Sequence, residues 1–193
     1  MAQRSADSVG TRTRLLRATL AIVGRQGVAA VTNRAVAAEA GVALGSLTYH
    51  FASQDDLLRE SLMLFVDEEV ERLRALVAEI EGGATGTAER ITEVFRQAGG
   101  QAHLAQFDLY VHAARDPSLR EAVARSFSVY EDVARATLAA LDLPAEDVFV
   151  AALVALIDGY ELRRLTLGEE PDPPLAELLA GFAELASAGA VRA

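Results

Sequence analysis

The sequence predicts an all-α protein of about nine helices, and two observations support this fold class. Strong helix formers, among them Ala, Leu, Glu and Arg, dominate the composition. Apolar residues recur every three or four positions, and Gly and Pro separate these periodic stretches. No segment shows the alternating pattern of a half-buried strand. We therefore expect a small N-terminal head of three helices followed by a larger helical bundle.

Most of the predicted helices are bounded by recognisable start and stop residues. Thr32 is a good N-cap, and Val31 with Val36 suits a hydrophobic staple. Ser53 opens a Ser-Gln-Asp-Asp capping box ahead of a long helix, and Asp116, followed by Pro, supplies a later N-cap. The predicted helices span residues 11–26, 33–41, 44–50, 54–81, 87–98, 102–114, 117–141, 145–167 and 174–189.

Charge divides the chain into two parts. Residues 1–53 hold six Arg against two acidic residues, a net charge of +4, whereas residues 54–193 hold twelve Arg against 26 acidic residues, a net charge of −14. The overall net charge of −10 hides this asymmetry. A basic head suits contact with nucleic-acid phosphates, and an acidic body does not. We therefore predict a nucleic-acid-binding domain at 1–53 and a separate body at 54–193.

Composition and motif content argue against several other classes. The chain has no Cys, which removes disulfides and thiol chemistry. The first fourteen residues lack the apolar run of a secretory signal, and the longest apolar stretch, residues 148–157, is too short to span a bilayer. No metal-spaced His pair, Gly-rich phosphate loop or Gly-x-Ser-x-Gly elbow indicates an enzyme. We expect a cytoplasmic non-enzyme with no cofactor, no metal and no membrane partner.

Residues 32–51 have the pattern of a helix-turn-helix. Val36 and Ala37 make the first of two short helices amphipathic, and Gly41 supplies the tight turn between them. The second helix buries Leu47 on one side. Its other side offers small and polar groups to the major groove of DNA. These groups belong to Gly45, Ser46, Thr48 and Tyr49.

Over residues 12–65 the sequence resembles the TetR family of bacterial transcriptional regulators. The resemblance lies in the order Thr32, Val36-Ala37, Ala40-Gly41-Val42, Gly45, Leu47, Tyr49-His50-Phe51 and Leu57 behind one leading helix. It implies that Thr32 caps the second helix and contacts a phosphate, and that Tyr49 and His50 hydrogen-bond to the DNA backbone. Gly45 would let the helix approach DNA closely. The DNA-binding residues are then Thr32, Asn33, Arg34, Leu44, Gly45, Ser46, Thr48, Tyr49 and His50.

Three positions depart from the usual family pattern. The family often has Lys where Leu44 and Gln54 stand, and Tyr where Thr48 stands. Fewer cations neutralise fewer phosphates, which weakens the affinity that does not depend on base sequence. Leu44 and Thr48 could instead contact the methyl groups of thymine.

Each predicted contact has a plainer alternative. Tyr49 could pack against the first helix, His50 could be a solvent-exposed residue at a helix end, and Arg34 could be a solvated charge. For the whole chain, the alternative is a TetR-like interaction module without specific DNA binding.

The resemblance assigns residues 54–193 to ligand binding and dimerisation. In TetR-like proteins the central helices enclose a ligand cavity, and an apolar pocket with a few polar anchors is the usual form of such a site. His103, Gln106 and Tyr110 follow at steps of three and four, so they share a helical face. Ordinary core packing is the alternative for every candidate. The predicted ligand-binding residues are Phe65, His103, Gln106, Phe107, Tyr110 and Tyr130.

The last two helices are the expected dimer face of a TetR-like protein. Gly159 interrupts the most apolar helix and would permit a close approach of two helices. Packing within one subunit is the alternative here. The predicted interface residues are Ala152, Leu156, Gly159, Leu178, Phe182 and Leu185. The sequence thus predicts a homodimeric repressor that a small-molecule effector releases from a palindromic DNA operator.

Overall fold

The computed structural model describes residues 2–82, 90–93 and 100–190. Within these ranges the regular elements are helices and no strand occurs. The α-helices are α1 (Ala2–Gln26), α2 (Asn33–Ala40), α3 (Leu44–His50), α4 (Gln54–Glu81), α5 (90–93), α6 (Gly100–Ala113), α7 (Arg120–Ala140), α8 (Asp147–Leu167) and α9 (Leu175–Ala190). Two short 3₁₀ turns cover Val28–Ala30 and Pro117–Leu119. The predicted all-α class, with about nine helices, is confirmed for the described part of the chain.

The predicted start of the first helix is wrong by several residues, whereas the bounds of α2 to α4 and of α6 to α9 agree with the prediction to within three residues. α1 begins at Ala2, nine residues before the predicted start at Thr11. The prediction relied on the apolar stripe, which does not reach the polar first turns, but no Pro stops the helix there. The predicted helix over 87–98 lies mostly outside the described residues. Within that range the structure describes residues 90–93, and these are helical. None of the described helices is long and apolar enough to cross a membrane.

The described residues form two compact units. The first comprises Met1–Asp67 with Gln101–Ser126, and the second comprises Glu68–Gly100 with Phe127–Ala193. α4 and α7 therefore each begin in the first unit and end in the second. The predicted division after residue 53 separates the chain by function and stays a prediction.

Helix caps in the first unit form where the sequence predicts them. Thr32 Oγ1 accepts a hydrogen bond from the Ala35 N–H at 3.1 Å, and Gly41 ends α2 in the left-handed region at φ 64°. Ser53 Oγ accepts from the Asp56 N–H at 3.0 Å. Hydrogen bonds from Arg59 and Ser53 hold the pKa of Asp56 below its ordinary value. These caps fix both ends of α2 and the start of α4.

The first unit also brings α6 against the head. The backbone of α1 approaches α6 so closely at Gly24 that a Cβ there would lie 2.2 Å from the Gln101 carbonyl oxygen. Four residues beyond Gly24, the Val28 N–H donates to Asp108 Oδ2 at 2.8 Å. α6 carries most of the predicted ligand-binding residues, so the helix that would sense a ligand touches the DNA-binding head directly.

Candidate nucleic-acid interface and effector region

The orientation of α3 depends on one buried side chain. Leu47 is 2% exposed, whereas Tyr49 is 80% exposed and Leu44 is 53% exposed. The helix therefore packs through Leu47 and turns its remaining side chains outward. All nine residues of the predicted DNA-binding set are exposed or half-buried. They lie at the N-cap and first turn of α2 and along α3.

Tyr49 is too exposed to be a core residue. Its ring meets the His50 ring edge to face, with the centroids 5.0 Å apart. The alternative that Tyr49 packs against α1 is therefore not what the structure has. Because its side chain is at the surface, Tyr49 can reach a phosphate without disturbing the core.

Two departures from the family pattern have local explanations. Thr48 Oγ1 donates to the Gly45 carbonyl oxygen at 3.1 Å, which occupies its proton. Gln54 Nε2 donates to the Val31 carbonyl oxygen at 2.9 Å and so ties the start of α4 to the residue before the Thr32 cap. Gln54 thus stabilises the helix-turn-helix through a hydrogen bond to the residue that precedes it, a role that the sequence did not predict.

Part of the positive charge of the head is neutralised by ion pairs within the chain. Arg25 pairs with Glu39 at 2.8 Å and joins α1 to α2. Arg12 pairs with Glu60 and lies over the Phe51 ring, 5.3 Å from its centroid. Glu39 is already counted in the net charge of +4, but Glu60 lies outside residues 1–53, so its pairing with Arg12 reduces the charge available for phosphates.

The predicted effector region forms a group of contacts around α6. Phe65 and His103 are both buried, and their rings meet edge to face with centroids 5.5 Å apart. Gln106 is also buried, and its Nε2 donates to the Tyr110 hydroxyl at 2.8 Å. Phe107 meets the Tyr110 ring at 6.4 Å. Five of the six predicted residues therefore gather in the first unit. The sixth, Tyr130, belongs to the second unit.

Sequence analysis missed two buried carboxylates of the second unit. Glu69 on α4 is 0% exposed and Glu161 on α8 is 3% exposed, and each pairs with an Arg three residues later on its own helix. Burial, with a smaller contribution from the nearby Glu161, raises the pKa of Glu69 to about 7 against the effect of Arg72. The spacing of Glu69 from Val66 and Leu73, which lie on the apolar stripe of α4, was the available signal.

The residues of the predicted dimer face are not buried within the subunit. Ala152 and Gly159 are exposed on α8, and a Cβ at Gly159 would meet nothing within 4 Å. On α9, Leu185 is 75% exposed, while Leu178 and Phe182 are half-buried, as Leu156 is on α8. Apolar Val148 and Leu162, which are 69% and 49% exposed, extend the exposed face of α8. Core packing within one subunit does not account for the exposed Ala152, Gly159 and Leu185, whereas Leu156, Leu178 and Phe182 are partly packed within the subunit.

Two family models match the chain. The model described as bacterial regulatory proteins, tetR family, matches residues 15–61, and the model described as tetracyclin repressor-like, C-terminal domain, matches residues 82–185, more than half of the chain. No curated protein matches it significantly.

Similar solved structures share the whole architecture. A TetR-family member from Streptomyces coelicolor A3 is 29% identical over 90% of this chain and 98% of that one, with a TM-score of 0.71. The multidrug binding protein EbrR, complexed with imidazole, is 29% identical over 89% of both chains, with a TM-score of 0.64. EbrR complexed with ethidium is 28% identical over 89% of this chain and 97% of that chain, with a TM-score of 0.64. With the helix-turn-helix described above, these matches establish that the chain belongs to the TetR family of transcriptional regulators and carries that family's DNA-binding motif.

Proposed function

We propose that the protein is a cytoplasmic, homodimeric transcriptional repressor without enzymatic activity, which an effector releases from a palindromic operator. The observation that carries the proposal is the outward face of α3, anchored by buried Leu47 and presenting Leu44 and Tyr49 to solvent. An exposed second helix of a helix-turn-helix is the element that enters the major groove. In a dimer, two such helices read the two half-sites of a palindrome.

The nine predicted DNA-binding residues divide by the kind of contact that they are proposed to make. Thr32, Asn33, Arg34, Tyr49 and His50 are assigned to the DNA backbone, Leu44, Ser46 and Thr48 are assigned to base edges, and Gly45 is assigned to the close approach of α3 to DNA. Backbone contacts position the protein, whereas base contacts specify the sequence. The DNA-binding domain in this proposal is residues 1–53.

Tyr49→Ala and His50→Ala should each weaken operator binding without lowering the thermal midpoint of unfolding. Tyr49 is exposed and His50 half-buried, so neither side chain holds the core together. The operator is first selected from a random DNA pool, and its dissociation constant is then measured over a salt series. His112→Ala, which removes a half-buried His outside the head, serves as the control.

Two results would contradict the proposed function. Wild-type affinity in both variants would remove this docking geometry. If no sequence emerges from the selection, and binding shows no salt dependence, the chain is the TetR-like interaction module that lacks specific DNA binding.

Ser46 and Thr48 should carry base discrimination. Replacing either by Ala should change the preferred base at one operator position by about 1–3 kcal/mol. Leu44 and the Thr48 methyl are assigned to thymine methyls, since the Thr48 proton is directed to Gly45. Replacing thymine by deoxyuridine in the selected operator removes those methyls alone. This replacement should weaken operator binding by the wild-type protein more than operator binding by the Leu44→Ala variant. Identical base preferences in wild type and both polar variants would show that α3 is not the reading helix.

The second copy of the chain is proposed to cover the apolar face of α8 and α9. Small residues at Ala152 and Gly159 allow helices to approach closely, and Leu156, Phe182 and Leu185 supply apolar area. Apolar side chains that remain exposed on two adjacent helices mark an interaction surface. The two-fold symmetry of such a dimer matches a palindromic operator.

The effector is proposed to be a compact, partly apolar aromatic molecule that binds in the body near the Phe107 and Tyr110 face of α6. EbrR, a similar protein, is complexed with the aromatic dyes ethidium, malachite green and proflavin. Buried Phe65 supplies an aromatic wall, and His103 or Gln106 supplies a polar anchor. The effector acts by binding one conformer more tightly than the other, which shifts the population away from the DNA-competent state.

His103→Ala should reduce the response to an effector dye but leave DNA binding by the free protein intact. The reason is that binding and release depend on different parts of the chain. Ethidium is the first probe, with operator release and thermal stabilisation as the two readouts. His112→Ala, on the same helix, is the matched control. A dye response in His103→Ala equal to that of wild type would rule out this anchor.

A further inference from the structure

The second unit contains an apolar cavity that the proposed function does not use. Its volume is about 260 Å³, and its walls come from α7, α8 and α9 together with Ile91. Leu138, Leu153 and Leu179 are buried residues that form much of its surface. None of the six predicted ligand-binding residues lines this cavity.

The chemistry of the walls disfavours a charged group inside the cavity. Among the described residues that line the cavity, Thr137 is the sole polar side chain, and its hydroxyl already donates to the Val133 carbonyl oxygen at 2.9 Å. A charged group placed there would lose its hydration without gaining a partner. An engineered cavity of about 150 Å³ with Leu, Ile and Phe walls stays dry and binds benzene. The larger volume here leaves room for a second ring.

A second copy of the chain is not the expected occupant. The predicted dimer face of α9 contains Leu178 and Phe182, whereas the cavity is lined by Leu179 and Ala183, each one residue later. One residue turns about 100° around a helix, so the two sets face different directions. Phe182 lies between them and also lines the cavity.

We propose that this cavity is a second small-molecule site, separate from the Phe65–His103 region, and that it takes an uncharged hydrocarbon of one or two rings. The ligand lies among α7, α8 and α9 and stabilises their packing by burying apolar surface of its own. Binding here does not depend on DNA or on the effector proposed above.

The test uses naphthalene as the probe and naphthalene-2-sulfonate as its charged counterpart. Saturating naphthalene should raise the midpoint of thermal unfolding of the full-length protein by about 2–5 °C, and the sulfonate should not. Ala183→Leu fills the cavity and should abolish the shift. Ala188→Leu adds the same side chain at an exposed position of α9 and should leave the shift unchanged.

Ala180→Leu, at the exposed edge of the cavity, provides a second filling variant if Ala183→Leu does not fold. It too should abolish the shift. The proposal is overturned if naphthalene leaves the wild-type midpoint unchanged, if the sulfonate raises it equally, or if the folded filling variants respond like Ala188→Leu.

Discussion

Gly159→Arg and Phe182→Glu should each convert the protein to a monomer and abolish tight operator binding. Gly159 is exposed on the proposed dimer face of α8 and α9, and Phe182 is half-buried on that face. A charge at either position would be buried without a partner in the dimer, at a cost of about 3–5 kcal/mol. The two-fold axis places the same substitution in both subunits, so the free-energy cost of the unpaired charge occurs twice in each dimer. The dimer dissociation constant should therefore rise by more than about 100-fold.

Light scattering across a concentration series measures the assembly directly, and the selected operator measures its consequence. Gly159→Ala is the matched control at the first position, since a Cβ there meets nothing within the subunit. The subunit should fold normally in both Gly159→Ala and Gly159→Arg, because residue 159 lies outside the core. Stable dimers for both charged variants would move the interface to another surface.

Gly24→Ala should strongly destabilise the first unit, although it adds a single methyl group. The new Cβ would lie 2.2 Å from the carbonyl oxygen of Gln101, and this oxygen belongs to a helix backbone that cannot rotate away. α1 and α6 must therefore separate, at a cost of about 1–3 kcal/mol or more. The hydrogen bond between the Val28 N–H and Asp108 lies close by and would be strained as well.

The matched control is Gly10→Ala on the same helix. A Cβ at Gly10 meets nothing within 4 Å, so the change should stabilise α1 by about 0.5–1 kcal/mol through its helix propensity. Thermal and urea unfolding of both variants measure the difference. Equal stability of the two variants would show that α1 and α6 are not in close contact at Gly24.

Features specified by neighbouring residues could be predicted from the sequence. The Thr32 cap, the Gly41 turn and the Ser53 capping box each depend on residues within four positions of one another, and all three form as predicted. The buried stripe of α1 is a local feature of the same kind, and Leu16 and Leu20 lie in the core. The polar first turns of α1 carry no such periodicity, so its true start could not be read.

Features that join distant segments could not be predicted. Gln54 bonds to Val31, 23 residues away, and Val28 bonds to Asp108, 80 residues away. Neither hydrogen bond is indicated by the spacing of neighbouring residues in the sequence. The exposure of Tyr49 likewise depends on where α1 lies, which periodicity does not specify. The burial of Glu69 could not be predicted, because a Glu on a helix is ordinarily solvated. Predicting it requires knowledge of what packs over α4.

The uncovered apolar face of α8 and α9 has a consequence for gene dosage. If half the operator contacts come from each subunit, occupancy follows the concentration of dimer, which at low expression rises with about the square of the chain concentration. Halving the number of chains per cell would then lower occupancy about fourfold rather than twofold. A promoter under this control would switch over a narrower range of expression than one bound by a monomer. If the protein is the repressor proposed above, a cell that inherits few copies at division would pass briefly through the derepressed state.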